Sequence, residues 1–528
     1  MIAFILLLSI LIILVYFLAI KPFNYWRERG VKTERVIPVF GDNFGVMFGL
    51  ESFIDQTKRM YNTLPNERYY GLYQFSLPTL VIRTPDLIKK LCVKDFEYFL
   101  NRRNLTPEGC DVLFSKNLIN LKGQSWKDMR STLSPTFTSS KMKSMFVLIC
   151  HNAKLFTEHF LEKKEDLIEV EFKDSICRFT SDVIASSAFG LQVDSLKDRN
   201  NTFFKMGRES LDFTSIRLKI AFCIYQVSPK LASILKIPII TKKVQDFFIN
   251  LVKDTLRMRE EKNIKRPDVL GLLLDARKGQ LDTKEDQEEE DGGFAVVKEQ
   301  LEMKTLNCEL TDLDIAAQAF LFFLAGFEGV ATLICQTVYE MAINPDVQKK
   351  LIDEIDENWP EDDKPSYNKV MNMTYLDMVV SEALRKWPNG IQTDRVVTKE
   401  YTIEPELPGD KPLTLEEGSI LLIPILGMHY DPKYFPNPEK FDPERFSPEN
   451  KHNIDPYTYM PFGIGPRNCI GSRFALMEVK ALLFYLFRHF EVVPIEKTEI
   501  PIKFNKNAFG FIPENGYHLG LKKRTMEK

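Results

Sequence analysis

The sequence predicts a mainly α-helical chain with a small β subdomain, preceded by one N-terminal transmembrane helix. Three observations lead there. Residues Ile2 to Ile20 carry no charge. Helical apolar periodicity dominates from about Leu50 onward. One later run, Ile315 to Ile343, is apolar almost throughout and stops before Pro345.

At ~1.5 Å rise per residue, the run from Ile2 to Ile20 nearly spans a ~30 Å hydrocarbon core. A cleaved signal peptide would carry its basic residues ahead of a shorter apolar stretch. Here Lys21, Arg27, Arg29, Lys32 and Arg35 follow it instead. Positive flanks stay on the cytosolic side, so the pattern predicts an uncleaved signal anchor with the bulk of the chain in the cytosol. The expected organisation is therefore an anchor over 1–20, a basic and Pro/Gly linker over 21–49 that turns at Pro38 and Gly41, and a globular body over 50–528.

Composition narrows the function classes. Of 528 residues, 44% are hydrophobic and 12% aromatic, with 40 Phe, which favours an ordered body with apolar cavities. A net charge of −3 gives no field for nucleic acid. The 8 cysteines stand singly with no C-x-x-C pair, which argues against a disulfide scaffold, and the 6 histidines form no H-E-x-x-H zinc motif.

Along the body, short β-branched or aromatic runs near Tyr69–Arg83, at Val396–Ile403, at Ile420–Ile425 and near the carboxyl terminus read as strands. The apolar region Ala221–Ile240 is too broken by Pro229 and Pro238 to span a bilayer. Core and membrane-surface loop both stand as readings of it. Glu285–Asp291 reads as an acidic solvated loop. Thr311-Asp312-Leu313-Asp314 reads as a capping box opening one long buried helix of about 45 Å. Within it, Ala325-Gly326-Phe327-Glu328-Gly329 sets a carboxylate between glycines, which is costly in a buried helix unless something uses it.

The strongest signal is the loop Pro461-Phe462-Gly463-Ile464-Gly465-Pro466-Arg467-Asn468-Cys469-Ile470-Gly471, followed by a helix from Ser472 to Lys480. A cysteine ahead of a helix is expected to have a lowered pKa, because exposed amide N–H groups and the helix dipole favour the thiolate. A thiolate there suits axial ligation of haem iron, where it donates electron density. A structural cysteine beside a Gly-rich turn is the plain competitor. A dinucleotide fingerprint is excluded by Asn468, which stands where the third glycine belongs.

Phe462-x-x-Gly465-x-Arg467-x-Cys469-x-Gly471 resembles the haem-binding signature of the cytochromes P450. Ser134-Pro135-Thr136-Phe137-Thr138 and the cysteine loop look most like the microsomal detoxifying members of insects. The resemblance implies the cytochrome P450 fold and haem b (iron protoporphyrin IX), with Cys469 as the metal ligand. Glu382-x-x-Arg385 and Arg445 match a structural Glu–Arg–Arg network. Trp126, Arg130, Arg395, Arg467 and Arg102 match residues that face the haem propionates. Glu328 matches the acid that delivers protons. Gly329 departs from the family, which places a Thr there; Thr332 follows one turn later.

The implied activity is that of a monooxygenase inserting one atom of O2 into a lipophilic small molecule, a xenobiotic, hormone or lipid. Its implied setting is the endoplasmic reticulum membrane, single-pass, with the catalytic domain cytosolic and membrane lipid around the anchor. Expected partners are the NADPH–cytochrome P450 reductase, docking near Lys122, Lys127, Lys141, Lys143 and Arg473, and cytochrome b5. No nucleic acid is expected. Substrate is expected to meet Cys110–Leu121, Phe203–Ile224, Phe320–Phe327, Gly390–Thr393 and Phe509–Phe511. The alternatives are a haem-thiolate isomerase or dehydratase acting on peroxides, which the missing Thr would suit, and a non-catalytic haem protein that sequesters ligands.

Overall fold

A computed structural model describes residues 21–34, 36–104, 109–211, 238–279, 293–297, 310–406, 411–508 and 510–525, with the single residues 16, 224, 225 and 234. The apolar run 2–20 apart from Tyr16, most of 221–240 and the acidic stretch 285–291 lie outside the described residues.

Eight helices position the site. They are α1 (Gly123–Leu133), α2 (Ser139–Leu161), α3 (Phe172–Ile184), α4 (Asp312–Leu324), α5 (Val330–Ile343), α6 (Pro345–Asn358), α7 (Thr374–Lys386) and α8 (Ser472–His489). Helix α2 buries Met142, Met145, Phe146, Ile149, Ala153 and Phe156, a stripe at helical spacing that packs on α8. Helix α8 extends well past Lys480 and is buried without interruption from Leu476 to Phe487, since α2, α5, α6 and α7 surround it. The cysteine loop is thus tethered to the most enclosed helix of the molecule.

Helix α4 opens on the expected capping box: Thr311 accepts from the Asp314 N–H while Asp314 reaches back to the Thr311 N–H. The long helix is not uniform. A π-turn over Ala325–Gly329 separates α4 from α5, and the break after Ile343 falls at Asn344, with Pro345 opening α6 at its first position. This is the one helix among the described residues long and apolar enough to cross a membrane, and 61% of its apolar window is buried inside the protein.

Strands β1 (Tyr69–Gln74), β2 (Leu77–Ile82), β7 (Ile420–Ile423) and β4 (Thr393–Val396) form one sheet in the order β1-β2-β7-β4. Only the β2–β7 pair is parallel. A second sheet joins β3 (Leu167–Glu171), β9 (His518–Lys523) and β8 (Phe490–Val493), and β5 (Tyr401–Ile403) pairs with β6 (Leu413–Leu415). Strands β3, β6 and β8 were not singled out in the sequence. The register of β4 on β7 sets Arg395 opposite Leu421 and aims the 389–393 segment at the site.

Residues 21–49 depart from the expected linker. Trp26 is 1% exposed, donates its indole N–H to the Leu72 carbonyl at 3.1 Å, and presses so close to Gly71 that a Cβ there would lie 2.3 Å from the indole. Bridges pair Thr33 with Gly71 and Gly41 with Gln74. The segment is a strap sealed to the edge of the first sheet, because an aromatic residue in it can bury there.

Candidate functional site

Between the π-turn and the cysteine loop lies a cavity of ≈ 380 Å³. Its floor is the loop. Gly463 and Gly465 adopt φ of +76° and +69°, the left-handed region that favours glycine. The Cys469 N–H donates to the Phe462 carbonyl at 2.9 Å, closing the turn. Phe462, Arg467, Cys469 and Gly471 line the cavity. Gly465 does not. A Cβ there would stand 2.0 Å from the Cys92 carbonyl oxygen, so this glycine admits the backbone of a neighbouring segment.

Cys469 is exposed on the cavity surface, which is itself enclosed by protein. Burial pushes its thiol pKa up, against the Gly471 N–H and the Arg130 and Arg102 guanidiniums, which pull it down. The lowered pKa expected from the helix start is therefore not met by the protein alone, because desolvation outweighs the local donors.

The arginines first brace the loop. Arg130 donates to the Asn468 carbonyl at 3.0 Å and to its side-chain oxygen at 2.7 Å. Arg467 donates to the carbonyls of Leu100, Leu118 and Leu121 and lies 4.1 Å from the centre of the Trp126 ring. Arg102 reaches the Arg467 carbonyl at 2.9 Å, and Arg395 the Ile464 carbonyl at 3.0 Å. Arg102, Trp126, Arg130 and Arg467 line the cavity; Arg395 is fully buried just outside it.

These groups fit a haem. The Nε atoms of Arg102 and Arg395 are buried with no hydrogen-bond partner among the described residues. Burial and neighbouring guanidiniums push Arg102 down to about 10 and Arg467 down to about 8. Clustered, desolvated cations with unused donors call for an anion, and two carboxylates would answer both deficits. The Cys469 sulfur on the same cavity and the apolar walls complete the match to a flat, dianionic metal macrocycle.

The network behind the loop is present and larger than expected. Arg385 holds Glu382 in a bidentate pair at 2.8 Å, both fully buried, and Arg445 joins at 3.6 Å. Glu382 also accepts from the Asp442 N–H at 2.9 Å. Sequence reasoning missed His429. Its Nδ1 meets the Arg385 carbonyl at 3.1 Å, while its Nε2 accepts from the Met460 N–H at 2.9 Å. Because Nε2 must accept, Nδ1 carries the proton. Burial, then the Arg385 charge, lowers its pKa to about 3. This neutral imidazole joins the Glu–Arg pair to the residue preceding the cysteine loop. A lone histidine in the chain gives no signal of that.

On the helix side, Gly326 and Gly329 face the cavity but Glu328 does not. Its carboxylate takes the Lys173 ammonium of α3 at 2.6 Å, and the same ammonium donates to Thr332 Oγ1 at 2.8 Å. The expected proton carrier, Glu328, and the nearby Thr332 hydroxyl are thus both turned to the back of the helix. Asn389, also missed, is on the cavity wall and donates its amide to the Gly329 carbonyl at 2.7 Å.

Of the expected substrate walls, Leu118 and Ile119, Leu321 and Phe322, and Gly390, Gln392 and Thr393 line the cavity. Phe203 instead packs on Phe189, Phe248 and Phe323 in the core, and Phe511 packs on Trp387 and Phe504. Phe509 lies outside the described residues.

The family model for cytochrome P450 matches residues 32–519. Cytochrome P450 9e2 of Blattella germanica is 43% identical, across 98% of this chain and 97% of that protein. Cytochrome P450 9c1 of Drosophila melanogaster is 38% identical, across 97% of each. Cytochrome P450 6k1 of Blattella germanica is 36% identical, across 98% of this chain and 97% of that protein.

Proposed function

The chain belongs to the cytochrome P450 family, and on that footing we propose that Cys469 is the axial thiolate of a haem b whose propionates are held by Arg102, Arg130, Arg395, Arg467 and Trp126. The chain is a haem-thiolate monooxygenase, an enzyme with haem iron as cofactor that depends on a redox partner and acts on lipophilic molecules. The observation that carries the ligand assignment is Cys469 opening into the same cavity as three arginines, of which Arg102 and Arg130 hydrogen-bond to the loop that bears it and Arg467 belongs to that loop.

When bound, the haem supplies the electron-accepting, O2-activating centre, made electron-rich by sulfur. The protein's own residues do the rest. The Gly471 N–H donates to the sulfur and orients it. The unused Nε atoms of Arg102 and Arg395 offer donors to carboxylates. Leu321, Phe322, Ile119 and Ile184 form an apolar wall that excludes water and favours a lipophilic guest. Gly326 and Gly329 leave the helix backbone open on that side. Glu328 acts through its pair with Lys173 and at most indirectly on the cavity.

The reading extends to a xenobiotic, hormone or lipid substrate and to electrons from NADPH through the cytochrome P450 reductase, with cytochrome b5 as a second donor. No flavin or nicotinamide motif stands in the sequence. Lys122, Lys127, Lys141, Lys143 and Arg473 remain the proposed docking charges, although Lys127 is already paired with Glu97 at 2.7 Å. The apolar run 2–20 with its basic flank supports a single-pass anchor in the endoplasmic reticulum.

The test is a carbon monoxide difference spectrum of the reduced protein, followed by turnover with reductase and NADPH. The thiolate-type red-shifted Soret band is expected in the wild type and absent in Cys469→His. Its survival in Cys469→Ala would move the ligand elsewhere. Turnover with hydroperoxide and none with reductase would move the reaction to the peroxide-rearranging class.

A further inference from the structure

We propose that Asn389 replaces the hydroxyl missing at Gly329, holding a water molecule on the helix side of the cavity where protons must be delivered; the inference rests on the monooxygenase reading above. Three observations carry it.

The first is geometric. Asn389 and Gly329 line the same cavity as Cys469, and the Asn389 Nδ2 donates to the Gly329 carbonyl at 2.7 Å. A Cβ built on Gly329 would meet only that Nδ2, at 3.7 Å, an ordinary contact. The amide therefore stands beside the place a residue-329 side chain would fill.

The second is chemical. A carbonyl only accepts, so the side-chain nitrogen must face Gly329 and the orientation of the amide is determined. That leaves one N–H and the whole of Oδ1 uncommitted among the described residues, and Asn389 is exposed where it meets the cavity. One donor and one acceptor are what a hydroxyl would have offered a water.

The third is elimination. Thr332, the nearest hydroxyl in sequence, accepts from Lys173 together with Glu328 on the far face of the helix. Neither can serve the cavity while that pair stands. The π-turn over Ala325–Gly329 opens the backbone at this point, and an amide from the 389–393 segment reaches it.

The consequence is a branch ratio. In the productive reaction, substrate RH, O2, NADPH and one proton give ROH, water and NADP⁺. In the leak, O2, NADPH and one proton give hydrogen peroxide and NADP⁺. A water held by Asn389 favours the first branch by supplying protons in order.

The experiment measures product, peroxide and NADPH together in wild type, Asn389→Leu, Asn389→Ser and the double variant Asn389→Leu with Gly329→Thr. Loss of the water-holding amide should raise peroxide formed per product roughly fivefold. Asn389→Ser should recover part of that, and Gly329→Thr in the Leu background most of it, because it returns a hydroxyl to the same place. A crystal structure of the haem-loaded protein should show an ordered water on Asn389 Oδ1 that is absent in Asn389→Leu. An unchanged ratio, or no rescue by Thr, overturns the inference while leaving the monooxygenase reading intact. A wild type that shows the thiolate band yet forms neither product nor peroxide with reductase overturns that reading and this inference with it.

Discussion

The two sides of the cavity are built on opposite plans. On the cysteine side, nearly every polar atom has a fixed partner: Glu382 accepts from Arg385 twice and from Asp442, His429 uses both ring nitrogens, and Arg130 grips Asn468 through two bonds. On the helix side, an apolar wall is interrupted by a few polar groups, and Asn389 has donor and acceptor capacity to spare. A side that must hold a ligand atom still ties its loop down, and among the described residues the donors it leaves over, the Nε atoms of Arg102 and Arg395, are the ones that would meet carboxylates. A side that must accept different guests and pass protons keeps capacity open. The first plan tolerates little substitution, whereas the second lets one segment of the chain take over what another has lost.

The largest break in this comparison should come from Glu382→Gln. It leaves the Arg385 guanidinium buried without its counter-charge, a change worth about 3–5 kcal/mol. Denaturant midpoint and haem retention would report it. A variant as stable as wild type would mean the pair is not what holds the loop.

A smaller effect should appear with pH. The His429 pKa falls from 6.5 in the unfolded chain to about 3 when folded, because burial disfavours the imidazolium. The unfolded state then binds the extra proton between those values. The contribution of His429 is fully present above pH 6.5 and is lost as pH falls from 6.5 toward 3, amounting to about 2 kcal/mol by pH 5. His429→Gln keeps an acceptor and does not titrate, so its stability should fall less steeply over that interval. Equal slopes in the two proteins would remove His429 as the cause.

The smallest effect belongs to the back of the helix. The Lys173–Glu328 pair is partly exposed, with side-chain exposures of 24% and 35%, so Lys173→Met should cost less than ~1 kcal/mol. Its peroxide-to-product ratio should stay near that of wild type, in contrast to Asn389→Leu. A shift as large as the one predicted for Asn389 would place proton control behind the helix and dissolve the distinction between the two sides.

The sequence by itself determined the mainly helical class, the long buried helix with its capping box, the cysteine loop and the Glu382–Arg385 pair. Each of these is local: periodicity, caps, left-handed glycines and i,i+3 spacing are written in neighbouring residues. Gly329 was legible as a departure only through the resemblance to the cytochromes P450, which place a Thr there. What compensates for it was not, since Asn389 lies 60 residues away and meets it only after β4 pairs with β7. The same holds for His429, 44 residues from Arg385, and for the aim of Glu328, which depends on where α3 carries Lys173. Even the expected lowering of the Cys469 pKa was a local argument overruled by burial. Partner choice and desolvation depend on which segments come together across the core, and that is decided by tertiary packing rather than by any window of sequence.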